Sequence, residues 1–418
     1  MTFATAGINV AIMVQDLTKA TEARLESYFA KIGQSLGDKR QRASFAAYAL
    51  GILGDGERKS CEPIAARYAA DPEEAKRAHE RLLHFLSRGS WDDRAVRLVA
   101  ARHAIEAIEE RAPITTWIVD DTGFPKQGKH SVGVQRQYTG TLGKVGNCQI
   151  GVSLSIASGN EHVPIDFALY LPKSWADDPE RRAEAHIPDA VQFETKIDLA
   201  IDMIERAVAA GIPGQIVLAD SFYGDAVHFR MAVRAAGLDY GVAIRKDTRV
   251  WMLDARGRRV GDATRVDELT GTLERNAFRR STWRDGTKGK MWSRFWIRRV
   301  KVEQLDGLST AEREPTWLIA EWPEHEDRPC KFMLTTLPRR MSKKQIIGIL
   351  MERWRTEQAY SELKGELGLD HFEGRSFPGW HHHVSVVLSC YAFVVAERVR
   401  RFPPSASSAN GRANHCAA

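Results

Sequence analysis

Cysteine is scarce and scattered in this 418-residue chain: Cys61, Cys148, Cys330, Cys390 and Cys416, with no C-x-x-C pair among them. That spacing excludes a zinc knuckle and offers no disulfide framework, so a reducing compartment is expected. Long apolar runs are missing as well. No uncharged stretch approaches the ~20 residues that span a bilayer. The opening MTFATAGINVAIMVQDLTKA lacks the basic start and extended apolar core of a secretion signal. The expectation is a soluble, cytoplasmic protein without a membrane partner. Internal repeats are absent. A strong charge of one sign is absent too: 60 Lys and Arg face 54 Asp and Glu, a formal charge of +6. Such a mild excess suits a polyanionic partner without requiring one.

What is present is enough apolar residue, 43%, to build two or three ordinary cores. Residues 1–112 are dense in Ala, Glu, Arg and Leu at helical spacing, as in EEAKRAHERLLHFL, and read as a helical N-terminal domain. From 113 to 246 the pattern alternates. ITTWIVDDTG and GQIVLAD read as strands, KHSVGVQRQYTGTLGKVGNCQIGVSLSIAS as two strands and a Gly-rich turn, and YGDAVHFRMAVRAAG as a helix leading to the strand DYGVAIR. This is the signature of an α/β mixed sheet with flanking helices. Residues 247–338 lose helical period, gain Gly turns and hold six of the eleven Trp residues, which reads as a β-rich insertion. Helices return over 339–402, with Ser342 placed as an N-cap. The Pro-, Ser- and Ala-rich residues 403–418 read as a disordered tail.

The segment ERWRTEQAYSELKGEL carries Glu352, Glu357, Glu362 and Glu366. On an unbroken helix, Arg353, Glu357, Tyr360 and Lys364 fall in one stripe about 60° wide, while the other three glutamates point elsewhere. Ile347, Leu350 and Trp354 form an apolar edge beside it. Glu357 is therefore the one carboxylate aligned with two cations. A surface ion pair with Arg353 is the simpler reading of it. A lone carboxylate cannot hold the hard divalent ions of phosphodiester chemistry, so partners must come from elsewhere in the chain. Asp120 in WIVDDTG and Asp220 in IVLADSFYG each end an expected strand, where a carboxylate is held rigidly. Either could equally open a loop or cap a helix.

Taken together these residues resemble the DDE-superfamily transposases of bacterial insertion sequences. Arg353, three residues, Glu357, six residues and Lys364 match the Arg-x3-Glu-x6-Lys signature. DDTGFPKQGKHSVGVQRQYTGTLGKVGNCQ and VLADSFYGD resemble the first and second Asp blocks. The resemblance spans roughly residues 55–400. It implies a ribonuclease H-like catalytic fold, interrupted by a β-rich insertion between the second Asp and the Glu, behind a DNA-binding N-terminal domain. It further implies that Asp120, Asp220 and Glu357 are the catalytic, metal-holding acids. Asp120 is preferred to Asp121 because the family favours Asp-x-Thr, matched by Thr122. Two Mg²⁺ ions, replaceable by Mn²⁺, would support phosphoryl transfer. Arg353, Lys364 and Tyr360 would bind DNA phosphates. Leu350 stands where the family usually carries a Tyr, and Tyr360 lies on the same stripe. The implied partners are double-stranded DNA, as the element's terminal inverted repeats and the target, and a second copy of the chain. The alternatives are a metal-dependent nuclease without strand transfer and a silent, transposase-derived DNA-binding protein.

Three features carry less. GKMWSRFWIRRVKV (289–302) interleaves Trp292 and Trp296 with bases, a mixture suited to stacking on an exposed base or to an ordinary two-faced strand with Phe295 and Ile297 inward. His381, His382 and His383 are consecutive, so on a helix they face different ways and do not suggest a metal site. SCEPIAARYAADPEEAKRAHERLLHFL reads as a helix-turn-helix or, equally, a plain helical hairpin.

Overall fold

A computed structural model describes residues 19–159, 161–286, 289–303 and 314–401. The segment before Lys19 and the expected disordered tail 403–418 lie outside the described residues.

Five helices come first: α1 (Lys19–Gly33), α2 (Lys39–Leu53), α3 (Cys61–Tyr68), α4 (Pro72–Ser87) and α5 (Asp93–Glu109). Three of these starts, those of α2, α4 and α5, are set by short acids. Asp38 accepts from the amides of Arg40 and Gln41, and Asp71 from that of Glu74 with Pro72 in the first turn. Strands β1 (Thr116–Pro125), β2 (Gln135–Thr139), β3 (Lys144–Ser158) and β4 (Glu161–Leu169) follow. Then come helices α6 (Lys173–Ala176), α7 (Pro179–Glu184) and α8 (Lys196–Ala209). The alternating part ends with β5 (Ile216–Ala219), α9 (Ser221–Gly224), α10 (Val227–Ala235) and β6 (Asp239–Ile244). The β-rich segment holds β7 (Arg249–Leu253), β8 (Arg259–Arg265), α11 (Val266–Gly271), β9 (Arg279–Gly286), β10 (Gly289–Val302), β11 (Thr316–Trp322) and β12 (Lys331–Thr335). Helix α12 (Lys343–Leu350), a 3-10 turn (Met351–Trp354), α13 (Arg355–Gly365) and α14 (Phe377–Arg401) follow.

The described chain divides into two compact units, one of residues 115–157 and 166–360, the other of residues 19–114, 158–165 and 361–401. The first is a mixed α/β unit around one large sheet, ordered β2-β3-β1-β5-β6-β12-β11-β10-β7-β8, with β4 on β3 and β9 on β10. Strands β1, β5 and β6 run parallel. The β-rich segment, expected as an insertion, adds its strands to this same sheet, because β12 pairs antiparallel with β6 through Phe332↔Ile244 to Thr335↔Gly241.

One core cluster joins the central strands to α12: Ile118, Ile216, Leu218, Ile319, Ile346, Ile347 and Leu350 are all buried. Full burial of each such side chain contributes roughly 1.5–3 kcal/mol. Helix α12 begins where the sequence places it, at a capping box between Ser342 and Gln345. Gly241 lets the helix approach, since a Cβ there would collide with Leu350 and lie 2.7 Å from Leu218. Trp354, the third residue of the expected apolar edge, is only half-buried, with the Arg284 guanidinium 3.5 Å from its ring centre.

The second unit is helical and built around α14. That helix is buried on nearly every side and packs on α5, α4 and α2. A helix apolar all round belongs in a core rather than at a surface, which is why α14 joins the N-terminal helices here instead of the catalytic segment 339–402 in which the sequence places it. Its buried Glu397 is held by Arg24, through bonds of 2.7 and 2.6 Å, and by Arg400 at 2.8 Å. Burial alone would raise this carboxyl, and the two guanidinium groups outweigh it and keep the acid below its usual range. Two residues of the histidine triplet are tied into the helical unit. His382 faces the carbonyls of Leu86 and Trp91 at 2.6 and 3.1 Å and stacks on Trp91, while His383 meets the Tyr48 hydroxyl at 2.9 Å and the Gly368 carbonyl at 3.1 Å.

Candidate active site

Asp120 does not end its strand. β1 runs on to Pro125, and Asp120 sits mid-strand opposite Ser153 of β3. What ends near Asp120 is the parallel pairing with β5, which runs from Thr116↔Ile216 to Ile118↔Leu218. Carried two residues further, the same register sets Asp120 level with Asp220, on strands ~5 Å apart. Asp220 does end β5. It also caps the short helix α9, accepting from the amides of Phe222 at 2.9 Å and Tyr223 at 3.4 Å. The capping role weighed from the sequence is thus real, and it leaves the second carboxylate oxygen outside those bonds.

Electrostatics tie the two acids together. Burial pushes the Asp120 carboxyl up to about 7, the nearby charge of Asp220 pushes the same way, and Arg353 works against both. Arg353 donates from Nη1 to Asp120 Oδ2 at 2.9 Å. Buried Tyr223 feels Asp121, Asp120 and Asp220 in turn, each adding to the upward push of burial on its phenol. Asp121 is neutralised separately: Lys196 Nζ lies 2.8 Å from its Oδ2 and the Tyr223 hydroxyl 3.3 Å from the same atom. Lys196 opens α8, and its ammonium also sits 4.0 Å from the Phe222 ring centre.

Glu357 lies in the first turn of α13, exposed, and forms no ion pair among the described residues. The expected Arg353–Glu357 pair is absent for a geometric reason. The helix is not continuous: residues 351–354 form a 3-10 turn between α12 and α13, so the 100° step that placed four side chains in one stripe fails at Arg353. Glu357, Tyr360 and Lys364 still share regular helix, but their surroundings differ. Tyr360 is buried, and its hydroxyl is 2.6 Å from Ser153 Oγ. It braces β3 behind Asp120 rather than facing a phosphate. Lys364, in the helical unit, is half-buried, and burial lowers its ammonium while Asp370 opposes the shift. Two of the other glutamates lie in different surroundings. Glu352 is half-buried and raised by burial, and Glu362 accepts from Tyr391 at 2.8 Å and Arg398 at 3.3 Å.

Of the two tryptophans, Trp296 is buried, at 5% exposure, and is not open for stacking on a base. Both faces of β10 are covered at this point, since Phe295 and Ile297 are buried as well. Trp292 is half-buried and carries the Arg280 guanidinium 3.8 Å from its ring centre.

Among the described residues no three His, Cys, Asp or Glu side chains form a group able to hold a metal ion. The pair Asp120 and Asp220 nonetheless fits one chemically. Both are hard oxygen donors on adjacent strands, and the burial and repulsion that hinder Asp120 from ionising are the penalty that a bound cation removes. Sequence reasoning found these two acids and missed Lys196 and Ser153, for which no motif gave a signal. Tyr223 stands within the quoted second Asp block and could have been singled out there.

A family model described as DDE superfamily endonuclease matches residues 31–290, more than half of the chain. The chain is also 24% identical, over 381 residues, to a probable transposase for insertion sequence element IS701 from Microchaete diplosiphon, covering 90% of this chain and 89% of that protein. No helix among the described residues is long and apolar enough to cross a membrane. With this family model covering well over half of its residues, the chain belongs to the DDE superfamily of endonucleases.

Proposed function

We propose that the protein is a DNA transposase that binds the ends of its own mobile element, cuts strands there and joins them to target DNA. The observation that carries this reading is the β1–β5 register, which sets Asp120 beside Asp220. The strand order β4-β3-β1-β5-β6, with β5 and β6 parallel to β1, supports a ribonuclease H-like core, and the relative named as a probable transposase supports the biological role.

Asp120, Asp220 and Glu357 would hold the metal ions, two Mg²⁺ for which Mn²⁺ would substitute. When bound, such ions activate the attacking oxygen and stabilise the leaving one in an in-line displacement. The chain's own residues do the rest. Ser153 and Tyr360 fix the strand behind Asp120. Lys196 and Tyr223 hold Asp121 aside. Asp220, by capping α9, keeps its free oxygen at the rim of the sheet. Glu357, exposed and unpaired, is free to close on its partners when DNA arrives. Arg353 exchanges Asp120 for a DNA phosphate in the same event, since both are oxyanions suited to its planar fork. Lys364 adds charge near the DNA backbone, and the hairpin α3–α4 in the helical unit reads the element's ends. Bringing two ends together calls for two copies of the chain.

The test is a purified-protein reaction with Mg²⁺, a duplex carrying the element's terminal inverted repeats, and a second plasmid. Nicked ends covalently joined to the plasmid support the proposal. Nicked ends with no joined product would assign a plain nuclease, and bound but uncut DNA a silent DNA-binding protein.

A further inference from the structure

A cavity of about 620 Å³ opens in the α/β unit between β9, β10 and the first turn of α12. Its charged lining is of one sign: Arg279, Arg280, Arg298, Lys343 and Lys344, with no carboxylate among the lining residues. All five are exposed, and among the described residues none of them forms an ion pair. Arg234, Arg245, Arg249, Arg258 and Arg265, in the same unit, all do form ion pairs. The floor is firm. Phe295, Trp296 and Ile297 are buried, and Ile347 is part of the main core. Two of the arginines are held over tryptophan rings, Arg280 on Trp292 at 3.8 Å and Arg298 on Trp296 at 5.4 Å, which limits how far their charge can wander. Lys343 and Lys344 open a helix whose free amides add positive field to the same groove.

Five unpaired cations on a rigid floor cost repulsion unless something anionic lies across them. A single small anion cannot reach all of them, whereas a polyanion with closely spaced charge can. Double-stranded DNA carries one charge per ~1.7 Å of its axis. We propose that this groove is a docking track for the sugar–phosphate backbone of duplex DNA, separate from the acids that cut it. The inference rests on the reading that the chain acts on DNA and adds where a stretch of that DNA is gripped. The groove touches phosphates, so it supplies affinity and orientation and no base preference.

The experiment measures the affinity of the full chain for a labelled duplex of arbitrary sequence by anisotropy, across a series of NaCl concentrations. For every phosphate that the protein no longer neutralises, the slope of log K against log salt should fall by about 0.9. The double variants Arg279→Gln/Arg280→Gln and Lys343→Gln/Lys344→Gln should each lower it by about 1–2 and weaken binding several-fold at moderate salt. Arg279→Lys/Arg280→Lys, which keeps the charge, should restore most of the slope. Arg256→Gln/Arg258→Gln, two exposed cations outside the groove, should change little. An unchanged slope in both groove variants, an equal loss in the outside pair, or a loss confined to duplex RNA would overturn the proposal. Failure of the unaltered protein to bind or cut any DNA would instead overturn the functional reading on which it rests.

Discussion

Arg353 reaches back across 233 positions of sequence to bond Asp120 Oδ2 at 2.9 Å, instead of pairing with Glu357 four residues ahead of it. One guanidinium thus pairs with Asp120 while Glu357 stays open to solvent. If Arg353 must exchange Asp120 for a phosphate, its fork geometry matters as well as its charge. Arg353→Lys should lower DNA cleavage by roughly 10- to 150-fold, corresponding to the ~1.5–3 kcal/mol of a charge-assisted hydrogen bond. Cleavage rates at saturating DNA measure this. A lysine variant with unaltered rate would show that a point charge suffices and that the fork has no part.

Lys196 is the partner that the sequence did not announce. Its ammonium and the Tyr223 hydroxyl both reach Asp121 Oδ2, and the ion pair is mostly shielded, with 18% and 24% of the two side chains exposed. Lys196→Met should destabilise the α/β unit by about 1–3 kcal/mol, the cost of leaving a half-buried acceptor without its donor. Urea unfolding at neutral pH reads this, and Lys196→Arg should recover part of the loss. Equal stability of the methionine variant would mean that water replaces the ammonium without penalty.

The helical unit carries a buried base whose charge it cannot tolerate. His103 is 8% exposed, neither ring nitrogen has a hydrogen-bond partner among the described residues, and the ring packs 4.4 Å from that of Tyr28. Burial holds its pKa down at about 4, against 6.5 for the free side chain. The unfolded chain therefore binds more protons between those values, so stability is fully present above about pH 6.5 and falls as pH drops towards 4. The ceiling is about 3 kcal/mol for a shift of this size. His103→Leu should flatten that acid limb, raising the melting temperature at pH 5 more than at pH 8. A variant with the same pH dependence as the parent would assign the limb to other groups.

Much of this architecture was legible because it follows local rules. The strands β1, β5 and β6 announce themselves by β-branched runs, and α12 by its N-cap Ser342. Asp220 ends its strand as the sequence suggests, whereas Asp120 lies mid-strand and is level with it only through the β1–β5 register. What escaped was set by tertiary packing. No periodicity indicates that residues 351–354 tighten into a 3-10 turn, and that turn frees Arg353 from its neighbour and aims it at Asp120. Trp296, read either as a base-stacking aromatic or as part of an ordinary two-faced strand, is buried, as are Phe295 and Ile297 on the other face of β10. Tyr360 lay on the right stripe for a phosphate contact and instead faces inward to Ser153. A helical wheel gives direction around an axis, not what lies in that direction.

The account's central claim is that Asp120, Asp220 and Glu357 act on one pair of ions although only the first two are drawn together in the free chain. The most direct measurement is Mg²⁺-dependent nicking of a duplex carrying the element's ends, by the unaltered protein and by Asp120→Ala, Asp220→Ala and Glu357→Ala, with DNA affinity recorded for each. All three variants are expected to bind the duplex and to lose nicking by at least about 100-fold, the scale on which removal of a transition-state-stabilising group is felt. Nicking at the parent rate by the Glu357 variant, or by either aspartate variant, would contradict the claim.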